Sequence, residues 1–225
     1  MRTSVAAYWQ DYEDIHHTRS FDDGSGTGAL VTRTENAAAA EIKGLEFDVT
    51  IAPIESLLLS LSYSYVDAAF KEKFDLIDGV EVDTTSNEFP YIPEQSATFS
   101  ATYTLPIDPS LGDMSILASL YWQDEMATHA LIDNFDQLTY GGSTWAAEDV
   151  AAMTEFSEVD SYEVWNLRFD WRNVMDSNFD IAAYVNNVTD EQYVLGGLNV
   201  VDSGGYGAYL YGAPRTAGAS LRYSF

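Results

Sequence analysis

The last thirteen residues alternate strictly, and this constrains the chain more than any other feature. Ala217, Ala219, Leu221, Tyr223 and Phe225 fall on one face; Thr216, Gly218, Ser220, Arg222 and Ser224 fall on the other. A strand sends successive side chains to opposite sides, so one face is apolar and the other polar. Seven segments upstream repeat the pattern: Thr3–Ile15, Glu41–Ile51, Leu57–Val66, Ser96–Leu105, Met114–Gln123, Trp165–Trp171 and Phe179–Asn186. In Leu57–Val66, for example, Leu57, Leu59, Leu61, Tyr63 and Tyr65 oppose Ser60, Ser62 and Ser64. Most segments are about ten residues long, the length a tilted strand needs to cross a bilayer. Strands of soluble sandwiches are nearer about five or six.

The connections alternate as well. Ala52–Ser56, Pro106–Asp113 and Arg172–Asn178 are short and carry Pro, Gly, Asp and Asn, which suit tight turns. His16–Ala40, Asp67–Glu94, Asp124–Asp160 and Asp190–Gly212 read as long loops. Short turns at one rim and long loops at the other mark bacterial outer-membrane barrels. That topology puts the C-terminus on the periplasmic side, the long loops outside, and Asp124–Asp160 as the longest loop. Many inward positions are small: Ser60, Ser62, Ser64, Ser96, Ser100, Ser115 and Ser119. A closed eight-stranded barrel must fill its interior with side chains, whereas a wide lumen holds water or a plug. The fold expected is therefore all-β: an antiparallel transmembrane wall of about eight strands within a larger barrel, its sheet open, with strand Thr3–Ile15 not pairing with the last strand.

Composition narrows the function. With 36 acids against 10 bases the net charge is -26, and no Lys or Arg occurs between Phe74 and Leu167. Nucleic acid is excluded as a partner, since phosphate binding needs a basic surface. The absence of Cys excludes disulfides and thiolate metal sites. No run of 18 apolar residues is present, so no transmembrane helix is expected. Tyr leads the aromatics with 15 copies, as suits a boundary between water and lipid.

Five stretches resemble TonB-dependent receptors, the active transporters of bacterial outer membranes. AAYWQDYEDI (Ala6–Ile15) resembles a strand ending in an aromatic-acidic patch. EIKGLEFDVTIAPIESLLLSLSYSYVDAAF (Glu41–Phe70) is similar to their strand, short turn and rising strand. YIPEQSATFSATYTLP (Tyr91–Pro106), VNNVTDEQY (Val185–Tyr193) and GAPRTAGASLRYSF (Gly212–Phe225) resemble three later strands, the last including the terminal Phe. The order and spacing carry the likeness across nearly the whole chain. It implies that residues 1–225 form one C-terminal segment of a plugged barrel of about 22 strands, without plug domain or TonB box. It implies uptake of a scarce nutrient such as siderophore-iron, cobalamin or carbohydrate. The partners implied are outer-membrane lipid, the plug and remaining strands, the TonB complex, and the assembly machinery, which would read Leu221, Tyr223 and Phe225.

No enzyme motif is found: HExxH, GxSxG and the P-loop pattern are missing. Neither a catalytic residue, a metal nor a cofactor is expected. Gly24–Gly28 (GSGTG) reads as a loop tip, not a phosphate loop. Asp14, His16 and His17 form a polar strand end with weak metal-ligand character, and Asn187-Val188-Thr189 fits the glycosylation sequon. Tyr140, Trp145, Tyr206, Tyr209 and Tyr211 lie in long loops beside acids and glycines, so they are candidates for ligand contact or for interfacial anchoring. Arg168, Asp170 and Arg222 are expected on the lumen side, either paired with each other or facing a plug. Two other functions compete: a self-contained small barrel with an adhesive or structural role, and an outer-membrane hydrolase. The hydrolase would need a convergent His–acid–nucleophile set from only three His, at 16, 17 and 129.

Overall fold

The computed structural model describes residues 1–22, 30–77, 80–129, 132–137, 139–140, 143–201 and 205–225. Eight antiparallel strands form one sheet: β1 (Arg2–Asp22), β2 (Leu30–Ile54), β3 (Leu57–Ile77), β4 (Gln95–Thr104), β5 (Asp113–Gln123), β6 (Tyr162–Arg172), β7 (Phe179–Asn186) and β8 (Thr216–Tyr223). They pair in sequence order, so β1 and β8 are the two edges, and no ladder joins them among the described residues. The open sheet matches the expectation.

The register shows why each strand alternates. Directly paired residues share a face. One row across the sheet reads Ile51, Leu59, Ala101, Ala118, Leu167, Val185, Ala217. On the opposite face a row reads Arg2, Thr50, Ser60, Ser100, Ser119, Asn166. Pairing thus joins eight separate alternations into one apolar face and one polar face. The apolar window also slides. Straight across the ladder, Ala6 on β1 leads to Glu46, Ser64, Ser96, Gln123 and Tyr162. On β6, however, the window runs Trp165–Trp171, centred on Arg168. A drift of about one residue per strand, at about 3.3 Å rise and 4.8 Å strand spacing, corresponds to a tilt of roughly 35°.

Two of the expected loops are corrected. His16–Ala40 and Asp67–Glu94 are largely strand: β1 and β2 pair out to Asp22–Leu30, and β3 runs to Ile77, where Val80–Asp83 folds back on it. Their inside positions are not all apolar: Lys73 and Asp75 of β3 are buried, with Lys73 Nζ and the Thr84 hydroxyl both donating to the Asp75 carboxylate at 2.7 Å. A bulge at Tyr12/Ile15, where Asp14 has φ 56°, marks the start of the β1 extension. The Gly24–Gly28 stretch lies outside the described residues. The turn at 55–56 and the connections 105–112 and 173–178 are short, and all lie at the rim where β8 ends. The connection 124–161 is the longest and lies at the opposite rim, as expected.

Few of the described wall residues are buried, among them Ala38, Ala40, Lys73, Asp75, Gln123 and Ala182. The large apolar side chains that are fully buried, Met153 and Val159, belong to the 124–161 connection. Leu221, Trp9 and Val5 are 68%, 66% and 63% exposed. An apolar face of this extent left bare needs an apolar medium to cover it.

Candidate functional site

The first functional surface is the apolar face itself. At its long-loop end three aromatic side chains each donate to a polar partner on a neighbouring position of the same face. Trp9 Nε1 donates to Glu41 Oε2 at 2.7 Å, Tyr63 Oη to Gln95 Oε1 at 2.7 Å, and Trp165 Nε1 to Glu163 Oε1 at 3.2 Å. At the short-turn end Trp171 Nε1 donates to the Leu111 carbonyl at 2.7 Å. There Phe179, Tyr223 and Phe225 form a ring cluster, with centroids 4.8 Å and 5.0 Å apart. Leu221, Tyr223 and Phe225 thus sit on the apolar face at the sheet's last edge. Trp9, Tyr63, Trp165 and Trp171 thus keep their rings beside the apolar band and their N–H or O–H satisfied, the geometry favoured where an apolar medium meets water.

The polar face carries the second surface. Arg168 Nε and Nη2 donate to both Asp170 carboxylate oxygens, at 2.7 and 2.6 Å. Arg222 lies opposite Asp180 in the register. All these side chains, with Arg172, line one open hollow of about 540 Å³. The structure therefore brings Arg168, Asp170 and Arg222 together on the polar face. A second hollow of about 570 Å³ lies beside it, bounded by Ser119, Asn166, Arg168, Tyr184 and Asn186. Tyr rings cover glycines of the facing strands, Tyr8 on Gly44 and Tyr184 on Gly218, where a Cβ would occupy the ring's place. Such aromatic cover protects a backbone that glycine leaves bare.

The long-loop rim is the third. Helix α1 (Ala147–Glu155) and a hairpin, Val194–Val200 with Tyr206–Tyr211, pack on each other. Met153 and Val201 form their core, with Trp145, Val150 and Phe156 against it. Trp145 is thus a packing residue of the rim. The hairpin's inner face is glycine where it meets Phe156: Gly197 faces the Phe156 carbonyl and Gly207 its ring. Tyr209 packs at a tilt against Phe156, with ring centroids 5.0 Å apart, and donates to the Glu155 carbonyl at 2.8 Å. Tyr206 and Tyr211 are exposed, at 59% and 60%. Tyr140 contributes backbone to a two-residue ladder. Tyr209 lines the 360 Å³ cavity at the rim, together with Tyr162, Tyr193, Glu155, Glu158 and Glu191. Tyr162 and Tyr193, whose rings lie 4.6 Å apart, were hidden in the sequence as a strand start and a motif end.

The rim is acidic throughout. Glu88, Glu125, Asp133, Glu158 and Asp160 surround a smaller cavity of about 140 Å³. Burial raises the Glu158 carboxyl above its ordinary value, and Glu125, Asp160 and Glu88 add to the rise. Among the described residues, no group of three or more His, Asp or Glu is arranged to hold a metal.

One motif residue gains a structural explanation. Asn187 is 2% exposed and left-handed, with φ 52°. Its Nδ2 donates to the carbonyls of Glu191 and Ala213, and its Oδ1 accepts from the Glu191 amide. It staples the end of β7 to the chain returning into β8. The glycosylation sequon at Asn187 is therefore closed by burial.

A tilted, two-faced sheet with aromatic girdles and one loop-rich rim defines a segment of an outer-membrane β-barrel wall. The profile of the family described as TonB dependent receptor-like, beta-barrel, matches residues 1–188, and the chain belongs to that family. Barrels of this family sit in the outer membrane. Among curated proteins none matches significantly. Solved structures share the fold. The ferric yersiniabactin uptake receptor FyuA from Yersinia pestis matches with TM-score 0.68 at 14% identity, over 99% of this chain and 27% of its own. The siderophore receptor PiuA from Acinetobacter baumannii matches at 0.63 and 16%, over 97% and 25%. The ferric-catecholate import receptor Fiu from E. coli K12 matches at 0.59 and 20%, over 97% and 24%. The chain spans about a quarter of the length of these receptors.

Proposed function

We propose that this chain forms the C-terminal wall and part of the outer rim of a receptor that imports a scarce nutrient, of the siderophore-iron, cobalamin or carbohydrate kind, with energy from the TonB complex. The observation that carries this is the pairing of one continuous apolar face with one continuous polar face across an open eight-stranded sheet. In the proposed receptor the apolar face meets outer-membrane lipid. The polar face, with Arg168, Asp170 and Arg222, lines the lumen and meets a plug domain. Further strands join the β1 and β8 edges, because unpaired N–H and C=O groups in lipid cost several kcal/mol, roughly, each. The long-loop rim faces outside, and Tyr209, Tyr206 and Tyr211 contact the ligand there with Tyr162 and Tyr193. Trp145 and Tyr140 support that rim. Leu221, Tyr223 and Phe225 are the strand read by the assembly machinery. The proposed receptor performs no catalysis and uses no cofactor.

The self-contained small barrel lacks its key support, since β1 and β8 do not pair among the described residues. The test is growth rescue. A strain carrying the receptor that contains this chain is grown on one nutrient at a time, with and without an active TonB system. TonB-dependent rescue by one nutrient class supports the reading. Indifference to TonB for every class tested would refute it.

A further inference from the structure

Beyond the girdle, the apolar face of β1–β3 changes character. Ala7, Leu45 and Tyr65 share one row; the next holds Trp9, Lys43 and Asp67; the one after holds Asp11, Glu41 and Ala69. Lys71 reaches this patch from a bulge in β3, with Nζ 2.8 Å from Asp11 Oδ1 and 3.8 Å from Glu41 Oε2. Lys43 pairs with Glu41, which also accepts from Trp9. Both lysine side chains stay about half exposed, at 52% and 43%. An ammonium has three donors, so each keeps hydrogens for an outside acceptor.

Depth follows from Trp9, since an exposed indole marks the headgroup level of a bilayer. Lys43 is in the Trp9 row, and Lys71 lies beside Asp11, one row further out, at roughly 3.4 Å per residue. The sector is unusual for this chain. The residues paired with the girdle aromatics on β4 and β6 are Gln95 and Glu163, and no cation occurs between Phe74 and Leu167. In a chain of net charge -26, two of its ten cations share this one stretch of perimeter.

The geometry points to a lipid site: Lys43 and Lys71 together bind the phosphate of an anionic lipid headgroup in the leaflet at the long-loop end. This rests on the proposed reading of the apolar face as lipid-facing. Asp11 and Glu41, with Asp67 of the Trp9 row, together outnumber the two lysines, so the patch exerts no long-range pull on free anions. A headgroup held at that depth by its own acyl chains needs no such long-range attraction, because its local concentration is already high.

The test uses the whole receptor containing this chain, reconstituted in nanodiscs of neutral lipid doped with a phosphate-bearing anionic lipid. Retained lipid is counted by native mass spectrometry. Lys43→Gln and Lys71→Gln should each lower retention of the phosphate lipid about fivefold, and together about 25-fold. Retention of neutral lipid should not change, and excess inorganic phosphate should not displace the lipid. Asp11→Asn and Glu41→Gln should leave retention intact or raise it. Unchanged retention in the double lysine variant overturns the site. So does loss with Glu41→Gln, which would mean a cation bridge to the carboxylates, and so does displacement by free phosphate. A separate arm places a fluorophore at Leu45→Cys and uses brominated lipid as quencher. Absent quenching sinks the lipid-facing reading itself; quenching with unchanged retention sinks only the lysine site.

Discussion

On the wall, Leu221 and Trp9 stand 68% and 66% exposed; at the rim, Met153 is fully enclosed. The two regions share one chain and use opposite means of folding. The rim behaves as a miniature soluble domain, with a core of Met153 and Val201 under Trp145 and Phe156. The wall has no such core and is held by its ladders, with an apolar face that must be covered from outside. A core residue of the rim and an apolar-face residue of the wall should therefore respond differently to the same kind of damage.

Met153→Ala carries the largest local cost, about 2–5 kcal/mol for emptying a filled core position. The effect should stop at the rim. Hydrogen exchange should speed up in α1 and the 194–211 hairpin while β4–β6 stay protected. Faster exchange across the wall would break the separation of the two regions. Leu167→Arg places a charge in the middle of the apolar band, at about 2–4 kcal/mol. It should lower the unfolding midpoint of the whole receptor in a bilayer, whereas Asn166→Arg, one residue along on the polar face, should leave it nearly unchanged. Equal effects would undo the assignment of faces.

Asn187 lies where the two regions join. Asn187→Ala leaves buried backbone groups without partners, at about 1–3 kcal/mol, and puts a Cβ residue without Asn's local hydrogen bonds at positive φ. Exchange at Glu191 and the stretch 212–215 should quicken first. The smallest effect concerns pH. The Glu158 carboxyl is raised in the folded rim, so folding favours its protonated form. Stability from this group is present at low pH and lost as pH rises through the ordinary carboxylate range toward the raised value. Glu158→Gln should therefore slow exchange in the Met126–Ala127 and Glu158–Val159 ladder at about pH 7 and have no effect at about pH 4. A gain at low pH instead would reverse the sign.

The wall was legible in the sequence because a sheet with one apolar and one polar face imposes alternation residue by residue. Tyr63 and Ser64 reveal their faces without any structure. The upper halves of β1–β3 were not legible, since polar residues such as Lys73 and Asp75 take buried positions there. Helix α1 gave no start signal either: Ala146 caps it without a side-chain hydrogen bond. The candidate rim was half legible. Tyr209 stood out as a loop aromatic, but its companions Tyr162 and Tyr193 come from a strand end and a motif, and only the fold brings them together. Trp145 shows the converse, a loop aromatic spent on packing.

The drift of the apolar window, about one residue per strand, acts as a gauge for the barrel's bore. Strand number and stagger together fix a barrel's circumference. If about 22 strands keep this stagger, the backbone ring is roughly 40 Å across, and these eight strands cover about a third of it. The width of the passage is thus written into pairings such as Ala101 with Ala118 rather than into the residues that line it. A two-residue insertion in β5 would shift the stagger, and with it the caliber of the barrel, while keeping every side chain on its own face.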